Sequence, residues 1–128
     1  MSVCEATASS DPRWKRLREL SGLVGRTPLL VLRLRLRGRE TCVYAKAESF
    51  NLTGSIKDRM ALHILTEGLR SGQLRPGALV SEATSGNAGI AITAMATAIG
   101  HPVKIFMPDW MSAERIALMR LYGASVEP

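Results

Sequence analysis

Between Gly86 and Gly100 the chain reads GNAGIAITAMATAIG, a run with no charged residue and with apolar side chains on every side of a helix rather than along one stripe. Such a helix has no face to give to water and belongs inside a core or a membrane. Spanning a bilayer takes about 20 apolar residues, and this run is shorter and rich in alanine, so it reads as a helix enclosed by a folded domain. Short strand-like runs flank it, ALVSEA before and VKIFM after. A strand, an enclosed helix and a second strand in that order predict a parallel sheet covered by helices on both faces.

The remaining punctuation extends the pattern. Residues 1–10 are small and polar and are expected to be disordered. Asp11 followed by Pro12 is a helix opening, with Trp14, Leu17 and Leu20 as its apolar stripe and Gly22 as its stop. LVGRTPLL turns at Gly25 and Pro28 into a strand over 29–36, and a turn at Gly38 leads to a second strand, TCVYAKAE. Gly54 or Ser55 opens a helix with Ile56, Met60, Ile64 and Leu65 on one side, ending near Gly72; Ser112 caps another that runs through Leu121 to Gly123. ASVEP begins one more strand, so the chain is expected to be the front piece of something longer. With no internal repeat and no linker, residues 11–128 form one domain of α/β class, an open parallel-sheet, three-layer α/β/α arrangement.

Composition narrows the function classes. The chain has 128 residues, 46% hydrophobic and 22% charged, enough for a core without disulfides or metal. Cys4 and Cys42 form no CxxC pair, and His63 and His101 match no ligand spacing, so a reducing compartment and no metal are expected. The formal charge of +6 comes largely from arginines before position 40. In LRLRLRGR these alternate with leucines and read as the wet face of a strand, without the aromatics or motifs of a nucleic-acid binder. The basic start is followed by no apolar signal region. A cytoplasmic protein without nucleic-acid or membrane partners is the expectation.

Three loops fall at strand-to-helix transitions, where an open α/β sheet places its ligands. In NLTGSIK, Lys57 stands at a helix start, where the helix field favours negative charge. It is either an ordinary solvated lysine or an amine brought to an anion or an electrophile. The spacing is not that of a nucleotide P-loop, and SIK does not fit SxxK. In ATSGNAG, Thr84, Ser85, Gly86 and Asn87 put two hydroxyls, a hinge and an amide at a helix entrance, whose N–H groups suit an oxyanion or carboxylate; the plainer alternative is capping alone. In MPDWMSAER, Pro108 and Asp109 make a turn, Trp110 reads as a packing or loop-anchoring residue, and Met107, Met111 and Met119 read as core filler.

Together, LVGRTPLL, YAKAESFNLTGSIKDRMA, EATSGNAGIAI and MPDWMSAERIALMRLYGASV resemble the cysteine synthase family of fold type II pyridoxal phosphate enzymes, over most of Leu23 to Val126. The resemblance implies that Lys57 holds pyridoxal 5'-phosphate through its amine and then acts as the base toward the substrate's α proton. Burial and a helix N-terminus would both favour the neutral amine that this needs. It implies that Asn87 hydrogen-bonds the cofactor's 3'-oxygen and that Thr84, Ser85, Gly86 and Asn87 grip the substrate α-carboxylate, closing to exclude water. The implied reaction is β-replacement on an activated serine: O-acetylserine and sulfide give cysteine and acetate. A homodimer is implied for the full-length form.

Leu52 stands where the family commonly has proline, and Ala88 where a threonine is usual. The family's glycine-rich phosphate cradle and the residue facing the pyridine nitrogen belong to parts of the two-domain architecture without a counterpart here. The chain is therefore expected to be the N-terminal portion, with little activity alone and with poor solubility from the exposed leucines of an unfinished sheet. Cystathionine β-synthase or a diaminopropionate-type synthase would share these loops. A non-catalytic interaction module derived from such an enzyme is the alternative from another class.

Overall fold

The computed structural model describes residues 10–127. Residues 1–9, with the expected disorder and Cys4, lie outside the described residues, as does Pro128. The elements are helix α1 (Pro12–Ser21), strands β1 (Leu29–Leu36) and β2 (Arg39–Lys46), a single 3-10 turn (Glu48–Phe50), helix α2 (Lys57–Arg70), strand β3 (Val80–Ala83), helix α3 (Asn87–Ala98), strand β4 (Val103–Phe106), helix α4 (Ala113–Leu121) and strand β5 (Ala124–Glu127).

The class is α/β, as expected. Strands β3, β4 and β5 form a parallel sheet in that order, with Val80 opposite Val103 and Val103 opposite Ala124. Because both crossovers step in the same direction and such crossovers are right-handed, α3 and α4 lie on one face, and they pack on each other and on the strands. Burial alternates accordingly. Val103, Ile105 and Ala124 are buried toward the helices, whereas Ser81, Ala83, Phe106, Ser125 and Glu127 are exposed, so among the described residues helices cover one face of the sheet and not the two that the three-layer expectation requires.

Helix α3 is the centre of the molecule. It touches α1, α2, α4, β3 and β4, and Ile90, Ala91, Ile92, Met95 and Ala96 are all buried. Its lack of a polar face is thereby explained. Asp11 caps α1 as expected, accepting from the Arg13 N–H at 2.9 Å, and Trp14 and Leu17 are buried. In α2 the buried residues are Asp58, Ala61, Leu65 and Leu69; of the expected stripe Leu65 is buried and Met60 packs against the core, whereas Ile56 and Ile64 are exposed. The inward side is rotated away from Ile64, which lines a groove with Leu74 and Leu79.

One end of this bundle is latched by polar contacts. Arg13 donates to the Leu74 carbonyl at 2.8 Å and to Asp11. His101 Nδ1 lies 2.8 Å from the Ala78 carbonyl and its Nε2 lies 3.2 Å from Arg13 Nη1. A carbonyl on one side and a guanidinium on the other require a neutral ring with its hydrogen on Nδ1. These contacts gather the C-terminal ends of α2 and α3 at one end of the domain. Lys57 and Asn87, the first residues of the two helices, consequently lie toward the other.

Strands β1 and β2 form a separate antiparallel ribbon, turned by Arg37 and Gly38, both with positive φ. The arginines of LRLRLRGR are exposed as expected, but so are Leu30, Leu32, Leu34 and Leu36. A two-stranded ribbon has two faces, and no described element packs on either one, so the expected dry side is absent. None of the described helices is long and apolar enough to cross a membrane.

The contrast between core and ribbon is testable. Met95→Ala should destabilise by about 2 to 5 kcal/mol in urea unfolding, whereas Leu34→Ala should stay within about 0.5 kcal/mol. Equal effects would contradict this division of the core.

Candidate active site

Lys57 is the first residue of α2. The helix begins without a side-chain cap at Ile56; Ser55, one residue earlier, accepts from the Lys57 N–H at 3.1 Å. The amine of Lys57 is exposed and makes no hydrogen bond or ion pair among the described residues. The expected burial is thus not supplied by these elements. Lys46 and Lys104 differ, since Lys46 donates to the Thr27 carbonyl and Lys104 pairs with Glu127 at 2.9 Å.

While the amine is free, the backbone that carries it is held. Asp58, with 0% exposure, accepts from both the N–H of Thr53, at 2.7 Å, and its hydroxyl. Glu48 accepts from Thr27 Oγ1 at 2.8 Å, from Asn51 Nδ2 at 2.8 Å and from Arg59 at 2.7 and 2.9 Å. Asn51 in turn accepts from the Gly25 N–H at 2.8 Å. The Arg59 guanidinium, with the Asn51 and Thr27 donors, holds the Glu48 carboxyl down at about 2, and Glu48 raises Arg59. Sequence reasoning missed this network. Its members lie in three segments, and only the acid–base spacing inside AESFNLTGSIKDR hinted at it.

The second loop follows β3. Thr84 Oγ1 accepts from the Gly86 N–H at 3.2 Å, Gly86 is buried, and Asn87 starts α3 with an exposed side chain. The first N–H groups of α3 have no partner within the helix. Gly89 sits against the loop so closely that a Cβ there would lie 2.5 Å from Thr84 Cγ2 and 3.1 Å from Met119 Sδ. Thr84 and Ser85 also line an open depression of ≈ 440 Å³ with Ala83, Phe106, Met107 and Pro108, at the C-terminal ends of β3 and β4. No hydrogen bond joins Lys57 to Thr84, Ser85, Gly86 or Asn87.

From the third loop comes a contact that the sequence did not announce. Arg115 Nη1 donates to the Ser85 carbonyl at 3.2 Å, and a Cβ on Gly86 would lie 3.3 Å from the guanidinium. Met107 and Met119 are buried as expected, but Trp110 is 81% exposed and anchors nothing described. Ser112 takes the N-cap position of α4 without capping it by its side chain.

A free amine at one helix start and a free amide at another suit the aldehyde end of an aromatic aldehyde cofactor, and the unpartnered N–H groups of α3 suit a carboxylate. Residues 20–128 match the family model for pyridoxal-phosphate dependent enzymes, and the chain belongs to that family. The chain is similar to cysteine synthase B of Escherichia coli, 43% identical over 107 residues, which are 84% of this chain and 35% of that protein. It is also similar to the O-ureido-L-serine synthase of Streptomyces lavendulae, 44% identical over 103 residues, or 80% of this chain and 32% of that one. Among solved structures, a hydrogen sulfide-producing enzyme from Fusobacterium nucleatum superposes with a TM-score of 0.84 at 50% identity, over 88% of this chain and 34% of that one. The chain spans about a third of the length of these relatives.

Two outcomes are expected here. Gly89→Ala should destabilise by about 1 to 3 kcal/mol through overpacking, and Thr84→Ser, which removes the methyl in the way, should restore part of that loss in the double variant. Because folding lowers the Glu48 pKa from 4.5 to about 2, its contribution to stability is complete above the upper value and is lost as the pH falls toward the lower one. Glu48→Gln should lack that component of the acid titration, and a profile identical to wild type would contradict the network.

Proposed function

We propose that this chain supplies the lysine-bearing part of a pyridoxal phosphate-dependent enzyme of β-replacement, acting on an activated serine such as O-acetylserine with sulfide to give cysteine. The observation that carries the reading is an unpartnered Lys57 amine on a hydrogen-bonded loop, at the start of a helix packed against α3, whose own entrance is the Thr84–Asn87 loop. The cysteine synthase relatives support the reaction class. An O-ureido-L-serine synthase and a hydrogen sulfide-producing enzyme are also among the proteins this chain is similar to.

In this reading Lys57 holds the cofactor through its amine and, once released, takes the proton from the substrate Cα. Pyridoxal phosphate, when bound, supplies an aldehyde carbon and a conjugated ring that draws electrons away from that carbon. Asn87 would donate its side-chain amide hydrogen to the oxygen substituent of the bound ring and so orient it toward Lys57. Thr84 and Ser85 would donate their hydroxyls, and Asn87 its backbone N–H at the start of α3, to the substrate carboxylate. Ala88 contributes no hydroxyl beside them.

Trapping tests this. After incubation with pyridoxal phosphate and reduction with borohydride, peptide mapping should find the pyridoxyl group on Lys57 in preference to Lys15, an exposed amine with no site around it. Lys57→Ala should abolish the preferred label. Labelling spread evenly over Lys15, Lys46 and Lys104 as well would refute the assignment.

A further inference from the structure

We infer that Glu48 is a positioning residue for Lys57, acting through Arg59, Asn51 and Thr27 without touching the amine. The inference rests on the reading of Lys57 as the cofactor-holding residue. A carboxylate has about four acceptor positions, and here all are used. Oε1 accepts from Thr27 and Arg59, and Oε2 accepts from Asn51 and Arg59.

The donors come from three segments: the turn before β1, the loop after β2 and the first turn of α2. Arg59 is two residues beyond Lys57, and Asn51 opens the loop that ends at Lys57. Inside that loop the Asp58 carboxylate holds Thr53, and Ser55 holds the Lys57 N–H. None of these anchors touches the lysine side chain. Glu48 gathers Thr27, Asn51 and Arg59 at one point, beside two direct links between the same segments, from the Gly25 N–H to Asn51 Oδ1 at 2.8 Å and from Arg59 Nη2 to Thr27 Oγ1 at 3.3 Å, so its loss loosens the loop against the segment before β1 while leaving the α2–α3 packing in place. Gly25 belongs to the same device, since a Cβ there would lie 3.1 Å from Arg59 Nη1.

The test compares wild type, Glu48→Gln and Thr27→Val by two readouts. The first is the ratio of pyridoxyl label on Lys57 to that on Lys15 within one sample, which cancels the general chemistry of amines. The second is hydrogen exchange of amides 53–58 against amides 92–96 inside α3. Glutamine turns one acceptor into a donor facing donors, and losing hydrogen bonds to a charged group should lower the labelling ratio about tenfold or more and speed loop exchange by a similar factor. Exchange within α3 should be unchanged, and Thr27→Val should act in the same direction but less. A ratio that survives Glu48→Gln overturns the positioning role, whatever loop exchange does. If α3 also loses protection, Thr27→Val decides, and an unaltered ratio there overturns the inference. A wild type without preference for Lys57 overturns the reading of the site itself.

Discussion

Everything in this domain is arranged around the enclosure of α3. A helix apolar around its whole circumference is unstable in water, and it becomes stable only when neighbours cover each side. Here the sheet, α1, α2 and α4 all do so. The enclosure fixes where its first residue, Asn87, emerges, and hence where the Thr84–Asn87 loop must lie. Gly89 shows how tight the fit is at that end, because no larger residue could sit between Thr84 and Met119 without moving one of them.

Polar groups add what hydrophobic burial cannot, a defined register for the loops. Burial is non-directional, whereas hydrogen bonds to ionised groups carry geometry. At one end of the domain, Arg13 and His101 join α1, the loop before β3 and the segment after α3. At the other, Glu48 and Asp58 hold the segment that leads to Lys57. The outcome is a restrained backbone bearing an unrestrained amine, the arrangement on which the role proposed for Lys57 draws.

The ribbon of β1 and β2 follows a different logic. Its strands satisfy each other's backbone groups, yet a two-stranded sheet has no interior of its own, and the leucines along β1 remain in solvent. The open face of the parallel sheet is similar, with Lys104 reaching across to Glu127 and lying 5.3 Å above the Phe106 ring. These surfaces belong to a chain that spans about a third of the length of the relatives it matches.

Much of this could be read from the sequence. The Asp11–Pro12 helix start, the Gly38 turn, the enclosed helix after Gly86 and the alternation of strands and helices are local signals, set by backbone preferences and by the period of the apolar residues. The family motifs around Lys57 and Asn87 are local as well. Tertiary structure alone decided which side of α2 faces inward, that Trp110 lies in solvent, that Arg115 reaches the Ser85 carbonyl, and that Glu48 gathers Thr27, Asn51 and Arg59. Each of these depends on atoms brought together from distant positions, and a helix or strand pattern specifies its own repeat but not the partner that will meet it.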